Sequence, residues 1–289
     1  MSQRIRVDSF AYRLVAPAVC LEAGLVGVPL IIGIYYSLFR VDYFKRGEFL
    51  GIGNYWAVLS SPEVLNSLWV TVVFSVSSLA LTFGVGFALA LYLEKDTRLN
   101  IFIRAVILIP YVISMMVGSL LLKWILVQDS GILPFLLSPF GLADLSILGN
   151  TRTAMAALVC NAAWRDSAFA MILLMAGLKS IPHQLYAAAR VDGASLFFQF
   201  QKITLPLLRV PILITLIRLL IHFANVLTFA LVLTGGGPND ATTTIGLTLY
   251  KLGFEYYRFG QANALAFLIF LFNIGMILLL IRFFREGTA

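Results

Sequence analysis

Apolar and polar positions fall into long blocks along the chain, and six of the apolar blocks are long enough to cross a lipid bilayer. A spanning α-helix needs about 20 mostly apolar residues, and each block reaches that length. A single segment in lipid must satisfy its backbone hydrogen bonds internally, so each block is predicted to be a helix. The predicted spans are residues 14–38, 66–93, 103–127, 153–178, 207–234 and 261–283.

The composition places this pattern in an integral membrane protein. Hydrophobic residues make up 60% of the 289 positions and charged residues only 12%, whereas a soluble domain has about 25% charged residues. A soluble fold of this size has too little interior to bury so much apolar surface. We therefore expect an all-α membrane protein in which residues 1–289 form one transmembrane domain.

Lys and Arg residues are twice as frequent on one side of the predicted spans as on the other. The richer side holds the N-terminus with Arg4 and Arg6, residues 94–104 and 179–209, and the C-terminus. Because loops rich in Lys and Arg stay in the cytoplasm, both termini are predicted to be cytoplasmic. The polar segment between the fourth and fifth spans is then cytoplasmic as well.

The sequence lacks the residue patterns of the common enzyme, metal and cofactor sites. No G-x-x-x-x-G-K-[S/T] phosphate loop occurs, so the chain itself is not expected to hydrolyse ATP. His183 and His222 are the only histidines, and Cys20 and Cys160 form no C-x-x-C pair, so no metal site is predicted. The net charge of +7 lies in short segments between spans, which argues against nucleic-acid binding.

Residues 180–206 form a polar, amphipathic stretch in an otherwise apolar chain. Pro182 suits the first turn of a helix, and Ser180 is a candidate cap for it. Gly193 can adopt the backbone torsions of a sharp corner. A second short helix is predicted over 194–203, and Pro206 then begins the fifth span. Amphipathicity alone leaves open a hairpin that rests on lipid headgroups.

The spacing within this stretch resembles the "EAA" signature of permease subunits from ABC importers. The matching residues are Ala187, Ala188, Ala189, Gly193, Ile203, Leu205 and Pro206. The sequence departs from the signature at Ala187, where the family has Glu, and Asp192 is a candidate to replace that acidic group. The resemblance implies a coupling helix that docks on a separate ATPase.

Other residues extend the resemblance over nearly the whole chain. They include Gly53-Asn54-Tyr55, Trp164-Arg165 and the run Leu233-Thr234-Gly235-Gly236-Gly237-Pro238. Together they are similar to the maltose- and glycerol-phosphate-type carbohydrate permeases of bacterial and archaeal cytoplasmic membranes. The resemblance implies a second homologous permease, two ATPase subunits that bind ATP and Mg, and an extracytoplasmic solute-binding protein, with no cofactor on this chain.

Charged and polar residues interrupt the fourth and fifth predicted spans at similar depth. Such residues within a membrane usually face a cavity or a partner. Helical spacing places those of the fifth span on one face, which suits a sugar's hydroxyls and C–H groups. The candidate solute-pathway residues are Asn161, Trp164, Arg165, Asp166, Arg218, His222, Asn225 and Phe229.

The alternative to solute contact is that these residues act as struts between helices, for example through an Arg218–Asp166 ion pair. A further hypothesis, drawn from the surplus of Arg on these helices, is that the solute is anionic. At the level of function, the alternatives are an ion-gradient-driven secondary transporter and a membrane scaffold without transport. A secondary transporter predicts more helices, inverted repeats and a relay of paired carboxylates.

Overall fold

A computed structural model describes residues 9–128, 130–140 and 146–286. Arg4 and Arg6, on which part of the charge bias depends, lie outside the described residues. The described chain is mainly helical, as expected. Its helices are α1 Ser9–Glu22, α2 Val28–Ser37, α3 Gly53–Leu59, α4 Pro62–Tyr92, α5 Arg98–Val112, α6 Met115–Leu126, α7 Ile132–Leu137, α8 Thr151–Lys179, α9 His183–Val191, α10 Leu196–Gln199, α11 Leu205–Leu207, α12 Arg209–Asn225, α13 Ile245–Tyr250 and α14 Phe259–Glu286.

Wider π-helical turns join some of these helices into longer rods. Ala23–Gly27 joins α1 to α2 and Phe200–Thr204 joins α10 to α11, while Ala230–Thr234 and Lys251–Glu255 are each followed by a turn or bend. Five helical segments are long and apolar enough to cross a membrane, and a sixth is counted if α5 and α6 form one span. The five are Tyr12–Ser37, Pro62–Tyr92, Thr151–Lys179, Arg209–Thr234 and Phe259–Leu279, each within a few residues of a predicted span.

The third predicted span is not one continuous helix. α5 and α6 are bent by 95° at Ile113 and Ser114, whose backbones are extended. Pro110 near the end of α5 has no N–H to donate, which weakens the last turn of that helix. The prediction of a single helix over 103–127 was therefore wrong, because this region consists of two helices joined by a bend.

A two-stranded ribbon follows the first span, so the all-α expectation is incomplete. Strands β1 (Phe39–Asp42) and β2 (Lys45–Phe49) pair antiparallel. Tyr43 and Phe44 form the two-residue turn, and both have positive φ, of 47° and 63°. Such a turn matches the twist of a hairpin, although Asn-Gly is the usual sequence. The ring of Tyr43 stacks on that of Tyr257 at 5.4 Å between centroids.

The Gly53-Asn54-Tyr55 motif fixes the start of this ribbon. The side-chain amide of Asn54 donates to the carbonyls of Ser37 and Phe39, at 2.8 Å each. The Tyr55 hydroxyl lies 2.6 Å from the Ser37 hydroxyl. These bonds satisfy backbone groups left over where the first span ends.

Two groups of segments pack as separate compact units. One comprises Met1–Ser61 with Leu249–Phe272, and the other comprises Pro62–Thr248 with Asn273–Ala289. Within the second unit, α4 packs most extensively along α8. Gly86 makes this contact possible, because a Cβ there would lie 2.5 Å from the Cβ of Ala170. Small residues at a helix interface allow such close approach in membranes.

Candidate functional site

The segment 180–206 forms two short helices joined by a corner, as the sequence predicted. α9 begins at His183 after Pro182 and ends at Val191. Ser180 does not cap this helix, since its hydroxyl donates instead to the Gly177 carbonyl at 2.7 Å. That bond closes the end of α8, so the predicted capping role of Ser180 was wrong.

Gly193 makes the corner with a left-handed backbone, at φ +75°. The Ala194 N–H donates to the Ala189 carbonyl at 2.9 Å, and the Gly193 N–H donates to the Arg190 carbonyl at 3.1 Å. This pattern closes a helix end on a residue with positive φ, which glycine adopts without strain. Asp192 lies exposed beside the corner.

The second arm of this segment is shorter than predicted as an α-helix. α10 covers Leu196–Gln199 and continues through a π-helical turn to Thr204. The Thr204 hydroxyl lies 2.9 Å from the hydroxyl of Tyr186 on α9, which ties the two arms together. Leu205 and Pro206 then begin α11, where proline's missing N–H is not needed.

The inner face of the segment is anchored in a buried apolar cluster. Tyr186 and Ile203 pack against it. Its members come from the end of α4, the end of α8 and the start of the fifth span: Ala90, Leu93, Met171, Leu174, Leu178, Ile181 and Leu208. The 180–206 segment is therefore seated on the ends of three long helices.

The outer face of the same segment is apolar and uncovered. Val191, Leu196 and Phe197 are exposed by 87%, 82% and 74%. Ala187 and Ala188 are exposed beside them, and Ala189 is half-buried. A clustered apolar surface rimmed by polar groups is typical of a site that binds another protein.

Three charged residues meet at the root of this segment. The Lys179 ammonium, at the end of α8, lies 2.7 and 2.8 Å from the two carboxylate oxygens of Asp96. Arg104 on α5 donates to the same carboxylate at 2.7 Å. The hydrogen bond from Lys179, and next that from Arg104, hold the pKa of Asp96 below its ordinary value of 3.8.

A second charged group lies halfway along α8 and is largely buried. The Asp166 carboxylate is fully buried and accepts a hydrogen bond from Arg165 at 3.1 Å. Nε2 of His222 on α12 lies 3.3 Å from its other oxygen, although the geometry falls short of a hydrogen bond. Arg165 also donates to the Tyr111 carbonyl at 3.3 Å, one residue before the end of α5. This group, Arg165, Asp166 and His222, thus joins α8 to α12 and to the broken third span.

Arg218 is not the partner of Asp166 in this structure. Its guanidinium carbon lies 4.5 Å from the ring centroid of Phe169, a cation–π contact. Its Nη1 atom is buried and makes no hydrogen bond within the described residues. The Arg218–Asp166 ion pair, one form of the strut alternative, does not occur among the described residues.

The predicted continuous stripe on the fifth span ends at Asn225. α12 stops there, and Val226 has an extended backbone. Phe229 follows the break and is fully buried, with its ring centroid 6.3 Å from that of His222. The amide of Asn225 is exposed and pairs with Asn273 of α14.

The two candidates near the middle of α8 have opposite surroundings. Asn161 is 1% exposed, and its amide donates to the Ser119 hydroxyl of α6 at 2.8 Å. Trp164 is 47% exposed. Among the described residues, no group of three or more His, Cys, Asp or Glu side chains is arranged to hold a metal ion.

Long apolar helices and a helical hairpin between the fourth and fifth spans occur in a chain whose sequence matches a known protein family. Residues 49–285 match the family described as binding-protein-dependent transport system inner membrane component. The chain belongs to this family. The permease is thus a multi-pass inner-membrane component of a binding-protein-dependent transport system.

Relatives resemble the permease over nearly its full length. The trehalose/maltose transport system permease of Thermococcus litoralis is 34% identical, and the match covers 89% of this chain and 86% of the relative. The sn-glycerol-3-phosphate transport system permease of Rhizobium meliloti is 33% identical over 95% and 94%. A chain of a bacterial ABC transporter that imports the acidic polysaccharide alginate has the same fold, with a TM-score of 0.85, 22% identity and coverage of 99% and 98%.

Three residues that the fold of the permease brings into these groups were not predicted from the sequence. Asp96 lies in the short polar stretch after the second span, where an acidic residue among basic ones was the available signal, and Arg104 lies near the start of the third span. Asn273 is an amide inside the span of highest mean hydropathy, 2.3. An isolated polar side chain in so apolar a helix is itself an indication of a specific contact.

Proposed function

We propose that the permease forms, with a second homologous permease, the membrane pathway by which an ABC importer takes up a sugar or sugar derivative. The names of its relatives support this solute class, since two of them transport trehalose or maltose and glycerol phosphate. The family description supports delivery of the solute by a separate binding protein outside the membrane.

The 180–206 segment is proposed as the coupling loop of the importer. The observation that carries this proposal is an apolar outer face, with Leu196 82% exposed, whose inner face is seated on the ends of the long helices. An ATPase subunit that covers this face has a direct mechanical connection to the spans. We infer that two such subunits bind ATP and Mg, and that Ala187, Ala188, Ala189, Asp192, Gly193, Ile203, Leu205 and Pro206 form or support the contact.

The proposed topology has six spans in one domain over residues 1–289. The bent pair α5 and α6 counts as the third span, with Arg165 on the carbonyl of Tyr111 supporting the bend. The excess of Lys and Arg supports a cytoplasmic position for both termini and for the coupling loop. The solute-binding protein then meets the opposite side.

The proposed solute pathway draws on residues with two different roles. Trp164 and Asn225 are exposed and are assigned direct contact with the solute. Asn161, Arg165, Asp166 and His222 are buried or half-buried and are assigned to holding α8, α12 and the third span in register. Arg218 and Phe229 line the same group of helices.

Reconstitution of the complete importer tests this function. The permease, its second permease, the ATPase and the binding protein are placed in proteoliposomes, and uptake is measured across a panel of sugars. We expect uptake that requires both ATP and the binding protein. Uptake of a sugar by this chain alone without ATP would contradict the proposal.

The ion-gradient alternative is not favoured. It requires no binding protein, whereas the family is defined by dependence on one. It also predicts a carboxylate relay, and the buried carboxylate of Asp166 is held by Arg165. Uptake driven by a proton or sodium gradient in the absence of ATP would restore this alternative.

A further inference from the structure

We propose that Asp96 is a positioning residue that ties the root of the coupling loop to the turn between the second and third spans. Motion imposed on the loop by the ATPase then moves α4 and α5 together with α8. This inference rests on the proposed coupling role of residues 180–206.

Asp96 forms an ion pair with Lys179. Lys179 is the last residue of α8, and Ser180 begins the coupling loop directly after it. Its ammonium nitrogen lies 2.7 and 2.8 Å from the two oxygens of the Asp96 carboxylate. Charge-assisted hydrogen bonds of this length are among the stronger contacts that side chains make.

Arg104 forms hydrogen bonds with the turn that carries Asp96. Besides the Asp96 carboxylate, its guanidinium donates to the carbonyls of Leu93, Glu94 and Lys95, the last two at 3.0 and 2.9 Å. These carbonyls directly follow the end of α4 at Tyr92, and that of Lys95 also accepts from Thr97 and Asn100. The turn, the end of α4 and the start of α5 are therefore held as one body.

The ion pair spans the edge of a cleft. A cavity of about 690 Å³ lies between the turn at Glu94–Asp96 and the coupling loop, lined on the loop side by His183, Tyr186 and Arg190. Across this gap, Asp96 and Lys179 supply a charged contact. Without it, the turn rests on the coupling region through the apolar cluster around Leu93 and Leu178.

The exposure of the pair argues for transmission of motion rather than for stability. The side chains of Asp96 and Lys179 are 59% and 42% exposed. Ion pairs this exposed add little to the free energy of unfolding. A directional contact at the junction of two moving segments nonetheless fixes how far one moves when the other is displaced.

The test compares Asp96→Asn and Lys179→Met with the unaltered complete importer in proteoliposomes. The readout is the number of solute molecules carried per ATP hydrolysed in the presence of the loaded binding protein. We expect each variant to lower this ratio about twofold to fivefold, the range that corresponds to an exposed ion pair. Because both remove one contact, the double variant should be no worse than either single variant.

Matched controls separate positioning from folding. Lys179→Arg keeps the charge and should retain the ratio, and Glu94→Gln changes a neighbouring carboxylate in the same turn and should leave it unchanged. A purely structural role would lower the unfolding temperature and the yield of the complex, with an unaltered ratio in what assembles.

The outcomes are distinct for this inference and for the proposed function. If both Asp96→Asn and Lys179→Met carry solute at the unaltered ratio, the positioning role is wrong while ATP-driven import stands. If the unaltered importer shows no ATP-dependent uptake, the proposed function fails and the positioning role fails with it.

Discussion

The side-chain amides of Asn225 and Asn273 hydrogen-bond each other in both directions, at 2.8 and 3.2 Å. Asn225 also donates to the carbonyl of Ile221 at 2.7 Å, within the last turn of α12. Asn225 is exposed and Asn273 is half-buried, and most of the residues around them on the two helices are apolar. Since lipid offers no hydrogen bonds to the remaining amide groups, we infer that this face meets the solute path or the second permease.

Replacing either amide should weaken the contact between the fifth and sixth spans. For Asn225→Leu and Asn273→Leu, we expect a loss of about 0.6 kcal/mol each in the free energy of unfolding, the average for hydrogen bonds between membrane helices, and at most about 1.7 kcal/mol. The double variant should lose about as much as one single variant, which a double-mutant cycle on the purified complex measures.

Asn263→Leu is a suitable control for this pair. Asn263 lies on the same helix, and its amide donates to the carbonyl of Phe259 in the preceding turn at 2.8 Å. Uptake by Asn263→Leu should be unaltered, whereas Asn225→Leu should reduce it. Fully additive effects of Asn225→Leu and Asn273→Leu would show that the two amides act independently.

Substitution of Gly193 should impair coupling by changing the corner of the loop. A Cβ at this position meets no atom within 4 Å, so Gly193→Ala introduces no collision within the chain. The left-handed backbone at φ +75° costs a side-chain-bearing residue about 1–2 kcal/mol. We expect reduced uptake in proteoliposomes with only a small fall in unfolding temperature.

Gly84→Ala provides the comparison for Gly193→Ala. Gly84 also has open space around its Cβ position but has an ordinary helical backbone within α4. Its substitution should leave both uptake and unfolding temperature nearly unchanged. Equal transport by Gly193→Ala and the unaltered chain would show that the backbone conformation of the corner does not contribute to coupling.

The lengths and order of the spans could be predicted from the sequence, because hydropathy follows directly from the energy of placing side chains in lipid. The breaks at Ile113 and Val226 could not, since both residues are apolar and hydropathy does not register backbone hydrogen bonds. Pro110 was the one local sign of the first break.

The same limit explains why the fifth span departs from the expected continuous stripe. A helical face through Arg218 and Phe229 assumes an unbroken helix, whereas α12 ends at Asn225 and Phe229 lies beyond the extended backbone of Val226. The partner of Asp166 also lay beyond the sequence, because its carboxylate lies beside Arg165 and His222, whereas Arg218 contacts Phe169. The corner at Gly193 and the start of the fifth span at Pro206 were predictable because they depend on the local torsions of those two residues.

Removal of the buried carboxylate should destabilise the permease more than removal of Arg218. Asp166→Ala leaves the charge of Arg165 without its ion-pair partner, which costs about 3–5 kcal/mol for a buried pair. Arg218→Gln loses a cation–π contact with Phe169, a loss of about 0.5–2 kcal/mol. Unfolding temperatures of the assembled complex should therefore fall further for Asp166→Ala.

A double substitution distinguishes the partners of Asp166. Arg165→Gln with Asp166→Asn removes both charges and should recover much of the stability that Asp166→Ala loses. If Arg218→Gln with Asp166→Asn recovered stability and the Arg165 combination did not, the principal partner of Asp166 would be Arg218.

The contact of Asp96 with Lys179 should be insensitive to pH in the neutral range. Its hydrogen bonds lower the pKa of the Asp96 carboxyl below 3.8. A group whose pKa is lower in the folded state stabilises the fold above its unfolded pKa and loses that effect as pH falls through the folded value. Any difference in unfolding temperature between the unaltered chain and Asp96→Asn is small for so exposed a pair, and it should stay constant from about pH 8 to 5 and shrink below 3.8. A difference that already disappears near pH 6 would mean that another group governs the contact.

Introducing Glu at position 187 should change coupling little, although the family signature has Glu there. Ala187 is exposed on α9, and a Glu side chain would lie one turn before Arg190, where such a pair adds about 0.2–0.5 kcal/mol to a helix. The new carboxylate would then pair with Arg190 of the same loop. The apolar face formed by Val191, Leu196 and Phe197 would be unaltered. The number of solute molecules carried per ATP by Ala187→Glu should match that of the unaltered importer. Ala188→Glu places the same charge one position along the exposed face. A several-fold gain confined to Ala187→Glu would show that docking of the ATPase still uses an acidic group at this position.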